Sequence, residues 1–242
     1  MSLSVIKRLA LAGIARGVYV PENLVNRYQE LLHLKALLRA LKINFVIDVG
    51  ANIGHFASEL RGMGYRGFIC SFEPIERAFL SLQAEFGCDP LWRGYQVALG
   101  NENARRTMHV YPQRTFMSSL LSPRGTPTGL EKEEVSVRRL DGLFEEMLSP
   151  VAEPRILLKL DTQGFDLRVF EGAAGCIGEI RGLQSELSVV PSYEGMPSYL
   201  EALSAYEHAG FQLLNLSVVS RGPGDELLEL NCFMKREEPS TT

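Results

Sequence analysis

Residues 45–56 read FVIDVGANIGHF. Phe45, Val46 and Ile47 are aromatic or β-branched, Asp48 and Val49 follow, and Gly50 and Gly54 then frame Asn52. Such side chains suit a pleated strand, and glycine supplies the backbone freedom that a sharp exit from it demands. In open α/β sheets ligands bind outside the carboxyl ends of the strands, where the strand order reverses. The dinucleotide fingerprint G-x-G-x-x-G keeps its middle glycine so that a pyrophosphate can approach the backbone. Here Asn52 puts a Cβ and an amide in that place. The turn therefore suits a smaller, less anionic group such as an amino-acid moiety, and Asp48 is expected beside its ammonium.

Reading outward, apolar residues from Asn23 to Leu41 recur at spacings of three and four, including Leu24, Val25, Tyr28, Leu34 and Leu38. That spacing predicts an amphipathic helix before the first strand. Downstream, GFICSFEP (67–74) reads as a second buried strand, with Pro74 in the first turn of a helix that stops at Gly87. YQVALG (95–100) reads as a third strand. RTMHVY (106–111) and VSVRRL (135–140) then form a β-excursion around a long loop, and Asp141 is expected to cap a short helix through Met147. RILLKLD (155–161) and IRGLQSELSVV (180–190) are further strands, and Ser198 with Glu201 makes a capping-box pattern. FQLLNLSVVS and ELLELNCFMK, joined by RGPGD, leave no room for a helix between them and must pair antiparallel.

Strands alternating with helices predict a doubly wound, Rossmann-like α/β sheet. A dinucleotide-binding sheet is parallel throughout, whereas seven strands with one antiparallel near the edge are the class I methyltransferase architecture. The expected organisation is an N-terminal helical cap over 1–44, one catalytic domain over 45–237 and a tail over 238–242.

The chain has 242 residues, 45% hydrophobic and 22% charged, with a formal net charge of −4. It is long enough for one full core, and its charge offers no basic field to gather nucleic acid. Cys70, Cys88, Cys176 and Cys232 are scattered without metal-ligand spacing, which fits free thiols in a cytoplasmic protein. No stretch reaches the roughly 20 apolar residues of a membrane span. The opening MSLSVIKRLALAGIARGVYV carries Lys7, Arg8 and Arg16 with no acid, so weak peripheral contact with a membrane surface is one reading and docking on the domain the other.

A second acid narrows the ligand. Glu73 ends the second strand, where such folds place the residue that accepts hydrogen bonds from ribose hydroxyls. Ribose at one end, an amino acid at the other and no phosphate describe S-adenosylmethionine.

FVIDVGANIGHFASELR, FEPIERAF, QVALGN, LLKLDTQGFDLRVFEGA and SELSVVPSYEGM occur in the order found in the FkbM family of S-adenosylmethionine-dependent methyltransferases, which the chain resembles over roughly residues 30–235. The block K-x-D-x-x-G after the fourth strand is the family-specific part. The resemblance implies a class I fold and O-methylation of sugar, glycolipid or polyketide hydroxyls. It implies that Asp48, Gly50, Ala51, Asn52 and Gly54 hold the methionine end, that Glu73 takes the ribose with Pro74 packed nearby, and that Val97 and Ala98 lie by the adenine. Ser118 and Ser119 resemble a Ser-Ser pair in the family's long loop. Asn101 and Asp166 stand where the family usually has acidic residues, glutamate at the second.

Methyl transfer to a hydroxyl needs aligned reactants, exclusion of water and removal of a proton. Asp161 ends the fourth strand beside the cofactor, and Lys159, two residues earlier, points to the same face. The pair is either base and partner or a structural ion pair. Glu186 gives an acid at the neighbouring strand end, and with Asp161 it could hold a divalent ion, though no metal is expected. His109, on a strand beside the long loop, is an alternative base. His55 would orient the cofactor or cap its helix, and His33 and His208 read as packing residues. Tyr193 and Glu194 are expected acceptor contacts. The competing readings are a nicotinamide-dependent oxidoreductase on a related sheet and a non-catalytic cofactor-binding interaction module.

Overall fold

The computed structural model describes residues 12–13, 15–18, 20–125 and 127–236. Residues 1–11, which carry most of the membrane-surface expectation, and the tail 238–242 lie outside them. No helix among the described residues is long and apolar enough to cross a membrane.

Seven strands form one sheet in the order β3-β2-β1-β7-β8-β10-β9. They are β1 (Phe45–Val49), β2 (Phe68–Phe72), β3 (Trp92–Tyr95), β7 (Ile156–Leu160), β8 (Ile180–Ser188), β9 (Phe211–Arg221) and β10 (Leu227–Arg236). All neighbours pair parallel except β10, which runs antiparallel to both β8 and β9. The terminal hairpin is thus as its short turn requires, and the fold is the class I methyltransferase α/β sheet. β1, β2 and β7 are buried along their whole length, as expected of central parallel strands covered on both faces.

Helices α1 (Glu22–Ala40), α2 (His55–Gly62) and α3 (Glu76–Phe86) cover one face of the sheet, where Leu34, Leu60 and Leu82 pack against Val46, Ile69 and Leu157. Helices α4 (Phe144–Leu148), α5 (Asp166–Gly172) and α6 (Tyr199–His208) cover the other, where Phe170 and Tyr206 meet edge to face. The capping box of Ser198 and Glu201 opens α6. Each fully buried Phe, Leu or Ile in these layers contributes about 1.5–3 kcal/mol. A second sheet, in the order β4-β6-β5, joins β4 (Ala98–Leu99), β6 (Glu131–Arg138) and β5 (Ala104–Val110).

Four local expectations need correction. YQVALG is not one strand: Tyr95 ends β3 in the main sheet and Ala98 opens β4 in the second. Pro74 precedes α3, which opens at Glu76 with Ile75 as its extended N-cap. Asp141 caps nothing; its carboxylate is taken by Arg139 and by the Gly175 N–H. Finally, α1 buries Leu34, Leu37 and Leu38 but leaves Leu24, Tyr28 and Leu32 exposed. In its first half the buried side chain is Glu30, one turn ahead of Leu34 on the same face, so the inward stripe changes from polar to apolar along the helix.

Candidate functional site

The site grows from the turn after β1. Gly50 has φ +74°, and a Cβ there would stand 1.9 Å from the Asp161 carbonyl oxygen. No other residue fits where the exits of β1 and β7 touch. A Cβ on Gly54 (φ +95°) would stand 2.6 Å from Phe86 and 2.9 Å from Leu82, so this glycine lets α2 pack on α3. Both glycines answer to protein neighbours rather than to a ligand. Asn52 is itself left-handed, at φ +48°, a conformation that asparagine tolerates better than most residues. Its N–H donates to Glu73 Oε2 at 2.8 Å and its Oδ1 accepts from Thr115 Oγ1 at 3.0 Å.

Glu73 binds the turn to the end of β2. It is 4% exposed and also accepts from the Ile75 N–H at 2.8 Å. Burial pushes its carboxyl up to about 7, against the pull of the Ile75 and Asn52 N–H groups.

A cavity of about 200 Å³ opens beside this turn. It lies at the carboxyl ends of β1, β2 and β7, where the strand order reverses. Gly50, Ala51, Asn52, Glu73 and Pro74 line it, together with Val97 and Ala98. Met108, Phe116 and Leu120, from the second sheet and its loop, complete an apolar end. Lys159, Asp161, Thr162 and Gln163 form the β7 side. Beyond them lie Arg27 and Glu30 of α1, Gln184 of β8 and Asn231 of β10.

Asp48 is not on the wall. It is fully buried beneath it, with Lys159 Nζ 3.0 Å from its Oδ1. The two residues face each other in the β1–β7 register. Lys159 also lies 3.4 Å from Asp161 Oδ2 and donates to the Gly50 carbonyl at 3.2 Å. Burial opposes its charge, but the carboxylates of Asp48 and Asp161 outweigh this and hold the ammonium above the ordinary lysine range. The ion pair is therefore Lys159 with both acids, of which Asp161 is the one that faces the cavity.

Asp161 and Glu186 are linked by one amide: Gln163 Nε2 lies 2.8 Å from Glu186 Oε2 and 3.5 Å from Asp161 Oδ1. Burial and the charge of Asp161 raise the Glu186 carboxyl well above its ordinary value. The same two causes push buried Asp166, under the same loop, up to about 7. Glu186 itself lines a separate small pocket with Gly164 and Asp166. Among the described residues no three His, Cys, Asp or Glu side chains group as metal ligands do.

The remaining sequence-named residues divide. Ser118 lines the cavity while its Oγ accepts from the Tyr111 N–H. Ser119 is fully buried and donates to the Gln163 carbonyl at 2.7 Å. Tyr193 donates to the Met117 carbonyl, and Glu194 is exposed with its N–H on the Ser122 carbonyl. These contacts tie the excursion loop to the loops after β7 and β8. His109 is off the cavity: it bridges Ser119 and its Nε2 lies 3.5 Å from Ser122 Oγ, while its neighbour Met108 takes the wall. Strand alternation sends the two side chains to opposite faces. His55 is on the wall, whereas His33 and His208 are held by Asn215 and Ser204. Gln163, Arg27, Glu30, Gln184 and Asn231 were missed. Gln163 sits within the K-x-D-x-x-G block and has φ +51°, but nothing in the sequence brings the other four together.

A model of the methyltransferase FkbM domain matches residues 48–213. The chain is similar to Methyltransferase 1 of Beauveria bassiana (strain ARSEF 2860), with 27% identity over 146 residues. That alignment covers 53% of this chain and 58% of the relative, so the chain spans little more than half of that curated protein. The N-methyltransferase NodS from Bradyrhizobium japonicum WM9 superposes with a TM-score of 0.50 at 10% identity, covering 90% of this chain and 98% of NodS. An rRNA methylase from Streptococcus thermophilus gives 0.47 at 8% identity, covering 86% and 97%.

Proposed function

The chain belongs to the FkbM methyltransferase family, and on that premise we propose that it moves a methyl group from S-adenosylmethionine to a hydroxyl of a sugar, glycolipid or polyketide-type small molecule. The observation that carries this reading is the cavity at the switch point, whose wall holds Glu30, Glu73 and Asp161 while each of its two long-chain cations, Arg27 and Lys159, is held between two carboxylates. Such a wall favours a sulfonium nucleoside over a phosphate-bearing cofactor.

The residues fit that donor. A carboxylate offers about four lone-pair directions, and Glu73 spends two on backbone N–H groups, which leaves acceptors for ribose hydroxyls. Val97 and Ala98 give the adenine an apolar wall, with Pro74 beside it. Gly50, Ala51 and Asn52 pass the thioether end, while Gly54 and Asp48 support the turn from behind. When bound, the cofactor supplies a sulfonium methyl group open to in-line displacement.

Asp161 faces the cavity and takes the acceptor proton. Lys159 and Gln163 position its carboxylate, and Glu186 acts through the Gln163 amide. That shared amide favours hydrogen bonding over a divalent ion for the Asp161–Glu186 pair. Ser118 faces the acceptor, Ser119 and Tyr193 hold the loop that excludes water, and Glu194 stands at the rim. The net charge of −4 supports a small-molecule or glycan acceptor rather than nucleic acid. Within this reading residues 45–237 are the catalytic domain and 1–44 its cap.

Two measurements test it. Calorimetry should give heat with S-adenosylhomocysteine, and a labelled-methyl assay on fractionated metabolites should give a product whose label resists acid but follows a hydroxyl. Heat with a nicotinamide cofactor and none with S-adenosylhomocysteine would return the oxidoreductase reading.

A further inference from the structure

We infer that Glu30 of helix α1 and Gln184 of β8 receive the ammonium of the methyl donor's amino-acid arm. The inference rests on the donor reading above and adds the place where that arm ends. A zwitterionic arm needs an acceptor for its charged nitrogen, and the sequence names Asp48. In the folded chain Asp48 is off the wall and fully buried, and the protein's own ammonium, Lys159, stands against it. Lys159 Nζ lies 3.0 Å from Asp48 Oδ1 and 3.4 Å from Asp161 Oδ2, and it donates to the Gly50 and Val49 carbonyls at 3.2 and 3.4 Å. A second ammonium has no room there and would meet a like charge.

Two strand spacings of about 4.8 Å separate β2 from β7, and an arm leaving a ribose at Glu73 crosses them past the glycine turn. The wall then continues to Gln184, which lies beside Lys159 in the β7–β8 register. Gln184 is 4% exposed, and its Oε1 has no hydrogen-bond partner among the described residues. Its Nε2 lies 3.5 Å from Glu30 Oε1, which also accepts from Asn231 Nδ2 at 2.8 Å. Glu30 is likewise 4% exposed. Its other oxygen pairs with Arg27 at 2.8 Å, but Arg27 also binds Glu59, so one guanidinium serves two carboxylates. The lobe presents an orphan carbonyl and excess negative charge. An N–H-bearing cation satisfies both, whereas a carboxylate or phosphate satisfies neither. Glu30 and Asn231 fall outside the segment matched to the family and Gln184 falls within it, so this contact joins that segment to the parts that flank it.

The test is calorimetry on the full chain with three ligands: S-adenosylhomocysteine, its decarboxylated analogue, which keeps the amine, and methylthioadenosine, which lacks the arm. Glu30→Gln should weaken the two amine-bearing ligands by about tenfold or more and leave methylthioadenosine unchanged. Gln184→Met should give the same pattern with a smaller loss. Methylthioadenosine binding and the melting temperature report that each variant is folded. Equal loss for all three ligands, or no loss for any, overturns the proposal. Wild-type protein that binds none of the three would instead remove the methyltransferase reading beneath it.

Discussion

The two ends of the cleft are built by different physics. Around Val97, Ala98, Met108 and Phe116 the wall is apolar and comes from the second sheet and its loop. Around Arg27, Glu30, Gln184 and Asn231 it is polar and comes from α1 and the far strands. The apolar end selects by shape and tolerates small changes of volume, because burial is non-directional. At the polar end every buried group needs its partner, so one lost atom leaves another unsatisfied. Lys159 stands where the two meet.

The largest expected effect tests that junction. Lys159→Met leaves Asp48 charged or protonated in a fully buried place and should destabilise the fold by about 3–5 kcal/mol, read as a lower midpoint in urea. A variant of unchanged stability would mean that the two ends are independent. Next, Glu73→Ala removes the proposed ribose acceptor and orphans the Asn52 and Ile75 N–H groups. It should cost about a hundredfold in S-adenosylhomocysteine affinity, and methylthioadenosine should suffer equally because it keeps the ribose.

A pH titration sharpens the contrast further. A carboxyl raised to about 7 in the fold is ordinary when unfolded, so its ionisation lowers stability as pH climbs from the usual carboxyl range through 7. Asp166 adds the same sign. Ionised Glu73 is the better hydrogen-bond acceptor. Between pH 6 and 8 donor affinity should therefore rise while the melting temperature of the free protein falls. Parallel trends would refute the assignment. The smallest effect belongs to Tyr193→Phe, which frees the Met117 carbonyl for about 1 kcal/mol. Hydrogen exchange should quicken around residues 115–121 and stay unchanged in α1.

Much of this is legible in the sequence alone. Runs such as FVIDV and ILLKL declare central strands by apolar continuity, and RGPGD between two strands declares the antiparallel pair. The boundary between β3 and β4 was not legible, because Trp92 and Tyr95 belong to the sheet through contacts with Phe86 and Phe72 that only packing creates. α1 misled for a related reason: its leucines fit a helical period, yet the inward face near the site is set by Glu30. The pairing of Asp48 with Lys159 depends on the register of strands 111 residues apart in the chain. Local pattern carries no information about it.

The pairing of β4 with β6 has a separate consequence. Ala98 and Leu99 run alongside Val137 and Arg138, so the chain departs for the second sheet and returns from it at one place. Everything between those two points leaves the frame and rejoins it through that stem, and the far loop is tied back by Thr115, Ser119 and Met117. A change of length within that module therefore leaves the register of the seven-stranded frame alone and moves the Met108, Phe116 and Leu120 wall of the pocket.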